Sequence, residues 1–387
     1  MKKRVDQFYI AGFVAVLFIM SFLFFFLPKS YFSDTENRPL QKVPQFTWDN
    51  LWSKKFSEET ESFVTDHFPF RDKWVAVKST MEQLRLQQEN NGIYKGHDGY
   101  LFEKFGKPDY EVVSKYTEAV KTFAINHPDS KMTFMLAPTS IGVYPERLPW
   151  LASAYPQAEV NGFIGEQLKD SLSFMDGFDF LVPAAHDPTQ IYFRTDHHWT
   201  TYGAYLAYQA YAEKMGWKAK QESEFTIESV TDSFLGSYHT RGQFSRLEGD
   251  TIQVYLPKQP TPSEMYIADT DETISGLYDS SYLEKKDKYS YFLGGVHALM
   301  TITSQLEPAD IEQQKLLVIK DSYAHSVLPF LALHVPEIHV IDLRYYNGNI
   351  SEYMTANEIS DVLMLFNTTT FVDNNGVLKL KQKSHVQ

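Results

Sequence analysis

Three runs in the last third of the chain, KLLVIK (315–320), EIHVID (337–342) and DVLMLF (361–366), centre on apolar stretches interrupted only at His339. A strand with one face in water alternates polar and apolar residues, whereas a continuous apolar strand must be covered on both faces. YAHSVLPFLALH and residues 350–358 lie between these runs and read as helices, so the order is strand, helix, strand, helix, strand. That order is expected of a parallel sheet with helices on its two faces. Upstream, KMTFMLAP reads as a further buried strand. EVVSKYTEAVKTFAIN has the spacing of an amphipathic helix, and NGIYKGHDGYLF suggests a hairpin around His97-Asp98-Gly99. The expected class is α/β.

The N-terminus obeys a different rule. After MKKRVDQ comes FYIAGFVAVLFIMSFLFFFL (8–27), an uncharged run of bilayer-spanning length with no polar face. Lys2, Lys3 and Arg4 place its start on the cytoplasmic side. No small-x-small cleavage pattern follows, so the run is expected to stay as an anchor. Residues 30–43 read as a stalk, and two helices are expected, over about 49–65 and 71–88, broken by DHFPFRD. The expected division is an anchor at 1–29, a stalk and helical lead-in at 30–90, and a main domain at 91–387 with 218–289 as a decoration of its sheet.

A net charge of −13 leaves no basic surplus to replace counterions along a phosphate backbone, so nucleic acid is not an expected partner. The absence of cysteine removes disulfides, thiol nucleophiles and Cys-ligated zinc, leaving serine or threonine for covalent chemistry.

Two segments carry groups suited to it. In VIKDSYAHS, Ser322 follows a strand, at the end of a parallel sheet where α/β proteins place their sites. It reads either as a nucleophile, with an oxyanion held at the start of the following helix, or as that helix's N-cap. In FRTDHHWTTYGAY, Asp196 and His198 share one side if the segment is extended, with His197 on the other. A carboxylate that orients an imidazole is what a nucleophilic serine needs. Trp199 reads as a wall of the site or as a core anchor. Thr200 or Thr201 can cap a helix whose Tyr202, Tyr205, Tyr208 and Tyr211 have the spacing of packing residues. Zinc competes for the adjacent histidines, but no second ligand pair stands at metal-binding spacing, and no metal or cofactor is expected.

TDHHWTTYGAY and VIKDSYAHS resemble the DHHW family of bacterial proteins, which is similar to the SGNH-hydrolase-like O-acetyltransferases of alginate and other exopolysaccharides. ENRPLQKVP, DHFPFRDKW, NGIYKGHDGYLF, YPERLP, SFLGSY, YFLGG and IDLRYYN look like further family blocks in the family's order. The resemblance implies an SGNH-hydrolase-like parallel sheet, with Ser322 as nucleophile, His198 as base and Asp196 as its orienter. It makes Arg344 and Tyr345 candidates for substrate contact. The family commonly has a polar residue after YFLGG where this chain has Val296, so the oxyanion would rest on the backbone N–H groups of Gly294, Gly295 and Ser322.

What the resemblance implies is a membrane-anchored, extracytoplasmic O-acyltransferase acting on a cell-surface polysaccharide. Its acyl donor would be passed across the bilayer by a membrane-bound O-acyltransferase-type partner. A carbohydrate esterase with the same three residues, and a non-catalytic polysaccharide-binding or export scaffold, are the alternatives.

Overall fold

The computed structural model describes residues 2–33, 38–85 and 87–382. The chain forms two compact units, one of residues 1–90 with 243–246 and one of 91–242 with 247–387.

In the first unit, α1 (Lys2–Phe26) includes an apolar stretch, Val5–Phe26, of mean hydropathy 2.5 with none of it buried. At 1.5 Å per residue its 22 residues rise about 33 Å, enough to cross a hydrocarbon core of about 30 Å. Residues 34–37 of the expected stalk lie outside the described residues. The helix expected over 49–65 is broken, because Lys54 takes the left-handed conformation (φ 67°) after a short turn of helix at Trp48–Trp52. It resumes as α2 (Lys55–Asp66), and α3 (Arg71–Leu84) stops a turn earlier than its pattern suggests.

In the second unit, α4 (Tyr110–Asn126) is capped by Asp109, leads into β1 (Lys131–Ala137), and packs beside α5 (Gln157–Leu168), which precedes β2 (Ser173–Asp176). The expected hairpin pairs Ile93 with Glu103 and Lys95 with Leu101. α6 (Thr201–Met215) follows the DHHW segment, capped by Thr200, whose hydroxyl accepts from the Gly203 N–H at 3.3 Å. Tyr205, Tyr208 and Tyr211 on α6 are buried; Tyr208 stacks on Phe330 at 5.2 Å, which is the packing role their spacing suggests. A two-stranded ribbon, β3 (Phe225–Phe234) and β4 (Asp250–Pro257), stands apart from the main sheet.

The main sheet is completed by β5 (Ser263–Ile267), β6 (Glu272–Ser275), β7 (Leu299–Ser304), β8 (Lys315–Lys320), β9 (Glu337–Ile341) and β10 (Asp361–Asn367). Its order is β6-β5-β7-β9-β8-β10-β1-β2. The five strands from β9 to β2 are parallel. Every residue of β8 after Lys315 is buried, and since successive side chains point to opposite faces, both faces are covered there.

Two expectations need correction. The sheet is mixed: β7, β5 and β6 join its edge antiparallel, two of them from the stretch expected to decorate it. Antiparallel addition needs only a tight turn, here with Asp271 at φ 55°, whereas a parallel strand needs a long crossover. YAHSVLPFLALH is also not one helix. A 3₁₀ turn at Ser322–Ser326 precedes a short helix at Leu328–Leu331, because Pro329 lacks an N–H and fits only a helix's first turn.

Candidate active site

β8 ends at Lys320, and Asp321 turns the chain so that Ser322 opens the 3₁₀ turn. The cap is Asp321: its Oδ1 accepts from the Tyr323 N–H at 2.9 Å, and its Oδ2 accepts from the Asn367 N–H and Nδ2 at 2.8 Å each. The Ser322 hydroxyl is therefore free of capping duty, and it is partly exposed where its neighbours are buried.

The DHHW segment reaches Ser322 from 124 residues away in sequence. Tyr192 and Trp199 form an isolated bridge, and residues 194–198 bend between them, so the segment is a tight loop and not the extended stretch expected. Asp196 and His198 meet for another reason. Asp196 Oδ1 accepts the backbone N–H of His198 at 3.0 Å and its Nδ1 at 2.5 Å, closing a local turn. A carboxylate only accepts, so Nδ1 carries the proton and Nε2 is left to accept from Ser322 Oγ at 2.7 Å. Asp196, His198 and Ser322 thus form one continuous hydrogen-bonded chain, its first two members almost wholly buried.

His197 does not point away as an extended segment would require. Its ring lies 3.7 Å from that of His198, its Nδ1 is 2.6 Å from Ser237 Oγ, and its carbonyl accepts from Tyr323 Oη at 2.5 Å. Burial pushes the His198 imidazole down to about 4, the neighbouring His197 pushes the same way, and the attraction of Asp196 does not reverse it. Burial would raise the Asp196 carboxyl, but the two imidazoles outweigh it and hold it well below the usual carboxylate range. The result is an ionised acid beside a neutral imidazole.

Apart from Trp199, the residues around this chain carry no signal of their own in the sequence. Tyr289 stacks on His198 at 3.6 Å and 10°, and its hydroxyl donates to Ser322 O at 3.3 Å. Trp199 is an anchor, buried, with Nε1 donating to Tyr323 O and Ser326 Oγ at 3.0 Å each. Asp250, at the start of β4, takes the N–H groups of Arg194 and Thr195 at 2.9 and 2.8 Å and fixes the loop from below. The Ser237 N–H donates to Asp196 Oδ2 at 2.6 Å. A Cβ on Gly236 would stand 2.3 Å from Asp196 Cβ, so only glycine lets this backbone come so near. The single usable signal was SFLGSY, a family block in a stretch otherwise read as decoration. Gly236→Ala is expected to destabilise the fold by about 1–3 kcal/mol through this overlap. Thermal unfolding measures it; an unchanged melting temperature would mean that Asp196 is not held as described.

The remaining predicted residues are less closely joined. Arg344 is held by Asp342 in a two-point pair at 2.9 and 2.6 Å, and Asp342 also lies 3.4 Å from the buried Lys320 ammonium. Tyr345 is half exposed beside it. Gly294 and Gly295 form a left-handed turn (φ 67° and 98°), but the Gly295 N–H already donates to Phe292 O at 3.3 Å. Among the described residues, the Ser322 and Gly294 N–H groups have no acceptor. The turn after Ser322 is too short to supply the helix dipole that one long helix would have given.

Asp196, His197 and His198 also bring three possible metal-ligand atoms within 4.8 Å of one another. Two ligands of one tetrahedral ion, each about 2.0–2.1 Å from it, stand more than 3 Å apart. Asp196 Oδ1 and His198 Nδ1 are 2.5 Å apart, which fits a shared proton. Chelation is expected to leave acylation of Ser322 unchanged; loss restored by added zinc would overturn this.

Comparison with known proteins agrees with the sequence motifs. Residues 177–341 match the DHHW protein family model. The probable alginate O-acetylase AlgJ of Pseudomonas syringae pv. tomato is 25% identical over 179 residues, 44% of this chain and 45% of that protein. The match therefore spans less than half of the relative. A DHHW family protein from Eubacterium siraeum superposes with a TM-score of 0.66 at 24% identity, covering 76% of this chain and 97% of that one. Bacillus cereus PatB1 with a sulfonyl adduct superposes with a TM-score of 0.62 at 19% identity, covering 75% and 98%. Both structural likenesses are likenesses of fold.

Proposed function

As a DHHW-family protein, this chain is, we propose, a membrane-anchored O-acyltransferase that places acetyl groups on hydroxyls of a cell-surface polysaccharide. The observation that carries this reading is the hydrogen-bonded chain Asp196–His198–Ser322, with contacts of 2.5 and 2.7 Å. The likeness to a probable alginate O-acetylase supplies the acyl group and the acceptor class.

In the proposed reaction, Ser322 Oγ attacks the acyl carbonyl while His198 Nε2 takes its proton. The bond to the leaving group breaks, the leaving group takes that proton from His198, and an acyl-Ser322 ester remains. A sugar hydroxyl then attacks the ester, giving its proton to His198, and Ser322 is regenerated when His198 returns that proton to Oγ. Asp196 stabilises the imidazolium in each half-reaction. The N–H of Ser322, and that of Gly294, are the proposed oxyanion donors. Arg344 and Tyr345 remain proposed contacts for the acceptor. With the apolar helix as an anchor, the acyl donor would arrive from a membrane-bound O-acyltransferase-type partner.

The deciding experiment follows the fate of acyl-Ser322. An aryl acetate should acylate Ser322, and the ester should persist in water and clear several-fold faster when a suitable oligosaccharide is added, yielding an acetylated sugar seen by mass spectrometry. A transferase cleft gains rate by positioning a bound hydroxyl, which water does not need. Rapid clearance in water, with no acetylated sugar from any acceptor, would make the protein an esterase; no acyl-Ser322 at all would make it a scaffold.

A further inference from the structure

The family block DHFPFRDKW has no part in the chemistry above, yet it is built into the first unit with care. His67 bridges two carbonyls, with Nδ1 3.0 Å from Phe63 O and Nε2 2.9 Å from Ser30 O, just beyond the end of α1. Phe63 on α2 meets Phe24 on α1 edge to face at 6.0 Å. Asp66 takes the Gln41 N–H at 2.8 Å. The turn between α2 and α3 is thereby fastened to the point where the apolar helix ends.

An apolar groove of about 520 Å³ results, with Val16, Leu17, Met20 and Phe24 of α1 on one wall and Phe68 and Trp74 on the other. The same unit leaves further large apolar side chains open to its surface: among the described residues, Trp48, Trp52, Phe68, Phe70 and Trp74 are 42–81% exposed. A soluble surface does not gather so many aromatic rings, and rings of this kind concentrate where a bilayer meets water.

Depth argues for the same occupant. If α1 spans the bilayer, the wall from Val16 to Phe25 covers roughly its outer half, at about 1.5 Å per residue. The facing wall lies at the same level and must meet lipid. Most of the backbone of the turn can tolerate that position. The N–H groups of His67, Phe68 and Arg71 in the turn are all hydrogen-bonded within the chain, as a low-dielectric setting requires.

We propose that the lead-in from Phe46 to Met81 lies in the outer membrane–water interface against α1, with Trp52, Phe68 and Trp74 seated among lipid headgroups and upper acyl chains. This rests on the reading of α1 as a retained anchor. DHFPFRDKW is then the elbow that folds the lead-in back onto the membrane, and not a spacer that holds it away.

The chain has no cysteine, so single cysteines can be placed at will. The full-length protein, reconstituted in phosphatidylcholine–phosphatidylglycerol vesicles, is labelled with an environment-sensitive fluorophore at Trp52→Cys, Phe68→Cys or Trp74→Cys. Val14→Cys reports on the anchor, and Trp150→Cys, in the second unit and 82% exposed, reports on water. The three lead-in labels are expected to be quenched by headgroup-region spin-labelled lipid and to be several-fold less accessible to aqueous iodide than the label at 150. Iodide access equal to that at 150, with Val14→Cys still in lipid, overturns the interface and leaves the anchor standing. Iodide access at Val14→Cys overturns the anchor, and the interface with it. Protection from both quenchers means that protein, not lipid, covers the surface, and also overturns the proposal.

Discussion

Ser322→Ala is expected to lower turnover of an aryl acetate by about 10⁴–10⁶-fold, the scale on which removal of a serine nucleophile acts, with the fold intact. The two halves of that expectation come from different contacts. Turnover falls because, among the described residues, no other hydroxyl donates to His198 Nε2. The fold survives because the cap of the 3₁₀ turn is Asp321, and among the described residues the Ser322 side chain bonds only to His198. An aryl sulfonyl fluoride should label the native protein at Ser322 and leave the variant unlabelled. A variant that keeps most of its turnover at an unchanged melting temperature would remove Ser322 from the chemistry altogether.

The second large effect concerns the base and its pH dependence. Asp196→Asn should reduce turnover by about 10⁴-fold, because an amide can present its N–H to His198 Nδ1 and favour the wrong tautomer. In the native protein the acid limb of the pH–rate profile should lie near 4, where burial places His198. The sign follows from the role: a base works when unprotonated, so activity is present above that value and is lost as the pH falls through it. An unperturbed histidine would lose activity near 6.5. His197→Ala should move the acid limb upward, since His197 sits against His198 and opposes its protonation. An acid limb near 6.5 in both proteins would show that neither burial nor His197 tunes the base.

These contacts also explain how far the sequence could be read. The central strands were legible because burial on both faces leaves an apolar run with few interruptions, and β8, β9 and β10 lie where KLLVIK, EIHVI and DVLMLF stand. The segment after β8 has the apolar spacing of one helix, and that spacing conceals the restriction imposed by Pro329. The edge strands β5 and β6 were hidden for a related reason. Strands at a half-exposed edge alternate weakly, and their polar flanks look like a decorating loop.

For the site, the sequence by itself determined which residue types were present and that Asp196 and His198 were close enough along the chain to meet. It also supplied the length and apolarity of α1. Only the tertiary structure decided that the DHHW segment is a bent loop, that His197 packs on His198, and that Ser322 arrives from 124 residues away. It also decided that Gly236, Ser237, Asp250 and Tyr289 pack against or bond to Asp196, the loop and His198. The physical reason is range. Periodicity, capping and short turns act over a few residues and leave a mark in local sequence. Contacts across the fold depend on which distant backbone comes near, and a single glycine or tyrosine at such a contact looks like any other until the chain has closed around it.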